Sequence, residues 1–166
     1  MTEIAALEAA AAALVERCRT RGFGIATAES CTGGLVAAAI TANPGSSAVF
    51  DRGFVTYANA AKSEMLGVPA GLIDRAGAVS AEVAAAMAEG ALARSQAEIA
   101  IAVTGIAGPG GGSDAKPVGL VFFCAVRRDR PPIAIVRTFS DPRRSAIRLA
   151  ATHEALRLLM EQASLA

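Results

Sequence analysis

The sequence predicts an α/β protein, a three-layer α/β/α arrangement around a mixed, mostly parallel sheet of about five strands. Three observations predict it. Strand-length apolar runs alternate with segments of helical spacing, the pattern of a sheet covered on both faces by helices. Two late strand-length runs, 118–126 and 133–139, are joined by a short polar link with no room for a helix, so that pair is antiparallel and the sheet is mixed. The 166 residues contain no internal repeat, no low-complexity linker and no break in composition, which places residues 1–166 in one domain.

Each element has its own signal. Residues 3–20 repeat Ala and Leu at helical spacing and stop at Arg21-Gly22. Phe23–Thr27 is short, apolar and compatible with a strand. Glu29–Gly34 is a turn leading into a helix over Leu35–Thr41, which Asn43-Pro44-Gly45 closes. Val49–Tyr57 reads as a strand and Asn59–Leu66 as a short helix. Ser80–Ser95 is a helix with Ser80 at its N-cap. Glu98–Thr104 is an apolar strand, and Gly105–Pro117 is a Gly-rich loop. Val118–Val126 and Ile133–Phe139 form the antiparallel pair, linked by Arg127–Pro132. The closing helix is Pro142–Gln162, with Pro142 in its first turn.

Composition then removes whole classes of function. Apolar residues are 53% and charged residues 19%, so the chain is not a disordered one. Sixteen Lys+Arg against fifteen Asp+Glu leave a formal charge of +1, and bulk attraction to nucleic acid or to an anionic membrane is not expected. With no Trp and one Tyr, a stacking platform for single strands is not expected either. Cys18, Cys31 and Cys124 are widely separated, and His153 is the one histidine. Neither a disulfide framework nor a metal site is expected, and no cofactor is implied. Glu3, Glu8 and Glu16 interrupt the apolar start, unlike a signal peptide. The longest uncharged stretch, Ser30–Phe50, is broken by Gly33, Gly34, Asn43, Pro44 and Gly45 and makes a poor membrane span. The expectation is a cytoplasmic protein.

Five segments could carry chemistry. Ala28–Gly34 lies between a strand and a helix, where open α/β folds bind ligands; Ser30 or Thr32 is there either for chemistry or to cap the helix. Asn43–Ser47 offers hydroxyls, or is an ordinary loop. Lys62 follows another strand. It is one of only two lysines, with Lys116, in a chain that otherwise uses Arg. Arg stays protonated while a buried Lys can act as a base, so Lys62 is either a base or a solvated helix-end residue. The loop from Thr104 through Ser113 matches neither a dinucleotide fingerprint nor a P-loop, and is an anion-binding nest or a surface turn. Residues 127–148 hold seven Arg, of which Arg143 and Arg144 stand near a helix start, in reach of a substrate phosphate.

Taken together, TAESCTGG at 27–34, PGSS at 44–47, GFVTYANAAK at 53–62, GAVS at 77–80, TGIAGPGGGSDAKPVG at 104–119 and FSDPRR at 139–144 resemble the CinA C-terminal domain family over about residues 5–162. The resemblance implies a stand-alone nicotinamide-nucleotide amidohydrolase, which converts nicotinamide mononucleotide to nicotinate mononucleotide and ammonia. The stretch at 139–144 departs from the family's pattern, which is close to FSGDR.

Amide hydrolysis needs a nucleophile, a base, an oxyanion stabiliser and a proton for the leaving ammonia. With one His far along the chain, the economical base for a serine is Lys62, and the resemblance implies the same pair, Ser30 as nucleophile and Lys62 as base. Tyr57 is a candidate to orient the base or relay a proton. Backbone amides around Cys31, Thr32, Gly33 and Gly34 are candidates for the oxyanion. Ser46, Ser47, Thr104 and Gly105 are candidates for binding ribose, phosphate or carboxamide, with Arg143 for the phosphate. Cys31 is a rival nucleophile. Two other readings compete: a nucleotide-binding regulatory module without turnover, and an interaction protein in DNA uptake or damage, as the family name suggests. The expected partner is a small pyridine mononucleotide, with no nucleic acid and no membrane. The alanine-rich first helix suits packing against a second copy in a homodimer.

Overall fold

A computed structural model describes residues 2–166. Its elements are α1 (Glu3–Arg21), β1 (Ile25–Glu29), α2 (Leu35–Thr41), a 3-10 turn (Ser46–Ala48), β2 (Phe50–Val55), α3 (Asn59–Leu66), α4 (Ala70–Ala76), α5 (Ala81–Ala93), β3 (Ile99–Gly105), β4 (Leu120–Arg127), β5 (Arg130–Thr138) and α6 (Arg144–Ser164). The five strands form one sheet in the order β2-β1-β3-β4-β5. β1 pairs parallel with both β2 and β3. β4 pairs antiparallel with β3 and with β5. Because β5 reverses a reversed strand, β4 alone runs against the other four.

Side-chain parity along the central strands sorts the core into two layers. Ile25, Ile99, Ile101 and Val103 face α1, α2 and α6, and pack with Leu14, Val36, Ile40, Ile147, Leu156 and Leu159. The alternate residues Ala26, Ala28, Ala100 and Ala102 face the other way, against Leu66, Ile73, Val83 and Met87 of α3, α4 and α5. Large side chains on one face and alanines on the other let α5 sit close to the sheet. Helices thus cover both faces, as the sequence predicts.

The differences from the sequence reading are local and physical. β1 is displaced to Ile25–Glu29 because the acidic Glu29 ends the strand fully buried. α4 is an extra helix, seven residues long, with Pro69 at its N-cap and no side-chain cap. β5 begins at Arg130 rather than Ile133, because Pro131 and Pro132 are tolerated on an edge strand. α6 begins at Arg144, with Pro142 outside it. Among the described residues no helix is long and apolar enough to cross a membrane.

Connectivity decides where a site can form. From β1 the chain crosses through α2 to β2 on one side. It then returns through α3, α4 and α5 to β3 on the other side, so the connections around β1 lie on opposite faces. A crevice opens beyond the carboxyl end of such a strand. Ser30 is the first residue after β1.

Candidate active site

The turn after β1 is held from three directions. Ser30 N–H donates to the Val103 carbonyl (2.9 Å), continuing the β1–β3 ladder. Glu29 points to the α2 face, where its carboxylate accepts the amides of Gly34 (3.1 Å), Val36 (3.0 Å) and Ala37 (2.9 Å). That satisfies the first turn of α2, whose N-cap Gly34 has no side-chain cap bond of its own. Ser30 and Thr32 therefore cap nothing. Gly33 and Gly34 have φ of +57° and +98°, the left-handed conformations that turn the chain into α2. From the other end of the chain, Arg148 of α6 donates Nε to the Cys31 carbonyl (3.1 Å) and Nη2 to the Thr32 carbonyl (3.0 Å).

Lys62, in the first turns of α3, reaches this turn from the opposite face. It is 1% exposed, the largest fully buried side chain among the described residues. Its Nζ lies 3.2 Å from Ser30 Oγ, 2.9 Å from the Thr56 carbonyl and 3.3 Å from the Tyr57 carbonyl. Burial pushes its pKa below the ordinary lysine value, with Cys31 opposing weakly. A neutral amine has two hydrogens and one lone pair. The two carbonyls take the hydrogens, and the lone pair is left for the Ser30 hydroxyl proton.

Cys31 is a poor rival. Burial pushes its thiol up to about 11, so it stays protonated at neutral pH. His153 is remote, with Nε2 3.4 Å from the Glu3 carbonyl.

Ser30 and Cys31 form the floor of a cavity of about 260 Å³. Tyr57, Arg144, Gly105, Ile106, Gly108 and Gly111 line it as well. Among the described residues Arg144 is the one charged side chain lining it. Its Nη1 donates to the Gly108 carbonyl (2.7 Å) and its Nη2 to the Tyr57 hydroxyl (2.7 Å). No described lining residue is acidic, so the cavity suits an anion. Within the turn, Gly33 N–H donates to the Ser30 carbonyl (3.0 Å) and Gly34 N–H to Glu29. Among the described residues the amides of Cys31 and Thr32 have no oxygen partner; both are directed at the Cys31 sulfur, a weak acceptor, and Thr32 is fully buried. Among the described residues no group of three His, Cys, Asp or Glu is placed to hold a metal ion.

Several expectations need correction. Thr104 is buried and donates its hydroxyl to the Ala78 carbonyl (2.8 Å). It shares parity with Ala100 and Ala102, so it faces the α5 side and not the cavity. Ser46 and Ser47 precede β2 and therefore lie at the amino end of the sheet, a strand length of about 17 Å from its carboxyl rim. Arg143 is exposed and ion-paired with Asp141 (2.6 Å), leaving Arg144 to line the cavity. Tyr57 uses its backbone carbonyl on Lys62, while its hydroxyl is bonded to Arg144. Gly33 and Gly34 shape the turn and do not line the cavity. Thr32 contributes main-chain groups; its hydroxyl is buried without a partner. Glu29 and Arg148 were not singled out. The i,i+4 spacing of Arg144 and Arg148 on one helix was the available signal for the second.

Residues 7–163 match the CinA C-terminal domain family. The chain is 55% identical over 139 residues to a CinA-like protein of Mycobacterium sp. (strain JLS), covering 83% of this chain and 32% of that one. It is 50% identical over 133 residues to the nicotinamide-nucleotide amidohydrolase PncC of Enterobacter agglomerans, covering 80% of each. The crystal structure of the competence/damage inducible protein CihA from Agrobacterium tumefaciens superposes with a TM-score of 0.92 at 48% identity, over 97% of this chain and 96% of that one. The chain spans about a quarter to a third of the length of several curated relatives it matches, and four-fifths of PncC.

Proposed function

The chain belongs to the CinA C-terminal domain family, and from that premise we propose that it hydrolyses the carboxamide of nicotinamide mononucleotide, releasing nicotinate mononucleotide and ammonia through Ser30 and Lys62. The observation that carries the reading is Lys62 Nζ, fully buried, 3.2 Å from Ser30 Oγ with its other two contacts on carbonyls. Ser30 Oγ bonds to the amide carbon as its proton passes to Lys62 Nζ. The amide of Cys31, which lines the cavity beside Ser30, takes the oxyanion. The Lys62 ammonium returns the proton to the leaving nitrogen, the C–N bond breaks, and ammonia departs from a Ser30 ester. Neutral Lys62 then takes a proton from water, whose oxygen bonds to the acyl carbon. Nicotinate mononucleotide leaves as the proton returns to Ser30 Oγ. Arg144 holds the substrate phosphate, exchanging Tyr57 for phosphate oxygens.

The test is ammonia release by the purified protein from nicotinamide mononucleotide, nicotinamide riboside and NAD. Release from the mononucleotide well above the other two is expected; no release from it would end the reading. The protein is further taken to be a cytoplasmic homodimer. Ala10 and Ala13 of α1 line an apolar groove of about 640 Å³ against α6, in keeping with that assembly. A monomer mass by sedimentation removes the dimer.

A further inference from the structure

We infer that Lys116 is a positioning residue: its ammonium pins the Gly-rich loop after β3 to the α4–α5 junction and so fixes the part of the Ser30 cavity that this loop builds. This rests on the Ser30–Lys62 hydrolase reading above. Lys116 is one of two lysines in a chain that otherwise uses Arg, and the reaction gives it no task. It does not line the cavity. Its Nζ donates instead to the Ala76 carbonyl at the end of α4 (2.9 Å). There the chain passes through Gly77 at a φ of +80°, and a Cβ on Gly77 would come within 2.8 Å of Lys116 Nζ. The junction therefore admits a compact ammonium lying against bare backbone. It is also a firm anchor. Gly77 N–H donates to the Ile73 carbonyl (2.8 Å). Ser80 Oγ donates to the Gly77 carbonyl (2.8 Å) and accepts the Val83 amide (3.3 Å) at the start of α5.

The loop needs that anchor. Gly105, Ile106, Ala107, Gly108, Gly110 and Gly111 all line the cavity. Ile106 still belongs to the ladder, with its N–H on the Leu120 carbonyl (2.9 Å) and its carbonyl on the Gly119 N–H (2.8 Å). From Ala107 to Gly112, among the described residues, no main-chain group bonds to another main-chain group. Gly108, Gly110, Gly111 and Gly112 leave this stretch with little conformational preference of its own. Two long side chains hold it. Arg144 takes the Gly108 carbonyl from α6 (2.7 Å). At the far end, Ser113 N–H donates to the Lys116 carbonyl (2.8 Å) and Lys116 N–H to Ser113 Oγ (3.1 Å), which closes a turn that the Lys116 side chain ties to Ala76. Thr104, at the near end, donates its hydroxyl to the Ala78 carbonyl (2.8 Å). Both feet of the loop thus stand on one short segment, Ala76–Ala78. A loop fixed before substrate arrives spares the binding step the cost of ordering it. Loss of the tether should weaken binding and leave the Ser30–Lys62 pair alone, because the contacts of Lys62 are on Ser30, Thr56 and Tyr57.

The test uses Lys116→Met and Lys116→Arg in the full chain, with three readouts. They are kcat and KM for ammonia release from nicotinamide mononucleotide, the calorimetric Kd for nicotinate mononucleotide, and amide hydrogen exchange over residues 105–115. A hydrogen bond from a charged group corresponds to about 10-fold in an equilibrium. Lys116→Met should raise KM and Kd by about that factor while kcat stays within about 3-fold of wild type. Exchange over 105–115 should speed up, and exchange over 27–34 should not. Lys116→Arg keeps a charged donor in a bulkier shape and should fall between Lys116→Met and wild type. A merely structural role would lower the melting temperature and leave KM and Kd where they are. A folded Lys116→Met with KM and Kd within about 2-fold of wild type overturns the inference, and so does a loss confined to kcat. If Lys116→Met does not fold, Lys116→Gln decides, with the same rises in KM and Kd expected and unchanged values overturning it. Wild-type protein that binds nicotinate mononucleotide yet releases no ammonia ends the hydrolase reading alone, and the Kd values of the variants still decide the role of Lys116. Wild-type protein that neither binds nor hydrolyses overturns both.

Discussion

Lys62 acts as a base only if it is neutral, and everything around it bears on that. Lys62→Arg keeps the charge and most of the reach but supplies no free base, so kcat should fall by about 100-fold or more in an ammonia-release assay. Ser30→Ala should fall comparably, and the double variant little further, because the two act as a unit. Near-wild-type kcat in Lys62→Arg would remove Lys62 as the base. pH gives a second view. Burial lowers the Lys62 pKa in the folded protein, so activity should rise with pH through a value below that of an ordinary lysine. Between that value and the ordinary one the unfolded chain binds the extra proton. The Lys62 contribution to stability therefore rises with pH across that window and is lost as pH falls through it. Pre-steady-state and equilibrium pH series would check the two signs separately. At this scale rarity and motif mark Ser30 in TAESCTGG and Lys62 in a chain that prefers Arg, two side chains that lie 3.2 Å apart in the fold. It was not legible where side-chain direction decides. Thr104 and Gly105 are adjacent, yet only the glycine faces the cavity. Arg143 and Arg144 are adjacent too, and a two-residue ion pair with Asp141 takes the first out of play.

At the scale of elements, two junctions carry physical tension. The first is β1 to α2. The sequence reads Phe23–Thr27 as the strand and Glu29–Gly34 as a turn, whereas β1 runs on to Glu29. Three amides of α2 make the buried Glu29 acceptable. Glu29→Gln removes the charge and turns half of the group into a donor facing donors, so stability should drop by about 1–3 kcal/mol in chemical denaturation. An unchanged denaturation midpoint would mean that water serves α2 equally well. The second junction is α3 against α5. Gly90 is in the interior of α5, where helix propensity alone says that Ala would stabilise by about 1 kcal/mol. A Cβ there overlaps the Leu66 carbonyl, a backbone group at the end of α3 that has nowhere to go. Overpacking of that kind costs about 1–3 kcal/mol or more, so it wins and Gly90→Ala should lower the melting temperature. A raised melting temperature would show that α3 yields freely. α4 was missed because seven residues opened by Pro69 and containing Gly71 carry neither a capping signal nor a helical period long enough to read.

The whole molecule brings together residues from its two ends. Ser30 and Lys62 come from the first half, whereas Arg144 and Arg148 come from the start of α6, which docks on β3 and β4 with Ile147, Leu156 and Leu159 in the core. Strand–helix alternation made the layers legible in the sequence, and the helix-free link between two strands made the sheet mixed. Nothing local in the sequence says that the last helix supplies the arginines at the first turn; that is a consequence of docking. Stability and chemistry should therefore separate along α6. Leu159 is fully buried in the core about three turns beyond Arg148, far from any atom that touches the cavity. Leu159→Ala leaves a void and should cost about 2–5 kcal/mol, read as a lower melting temperature. As long as the assay is run well below that temperature, kcat and KM should stay near wild type, because the first turns of α6 keep their hydrogen bonds to the nucleophile turn. If Leu159→Ala instead loses kcat while still fully folded by circular dichroism, α6 detaches as a unit below global unfolding. The site would then be held by the docking of the whole helix and not by its arginines alone.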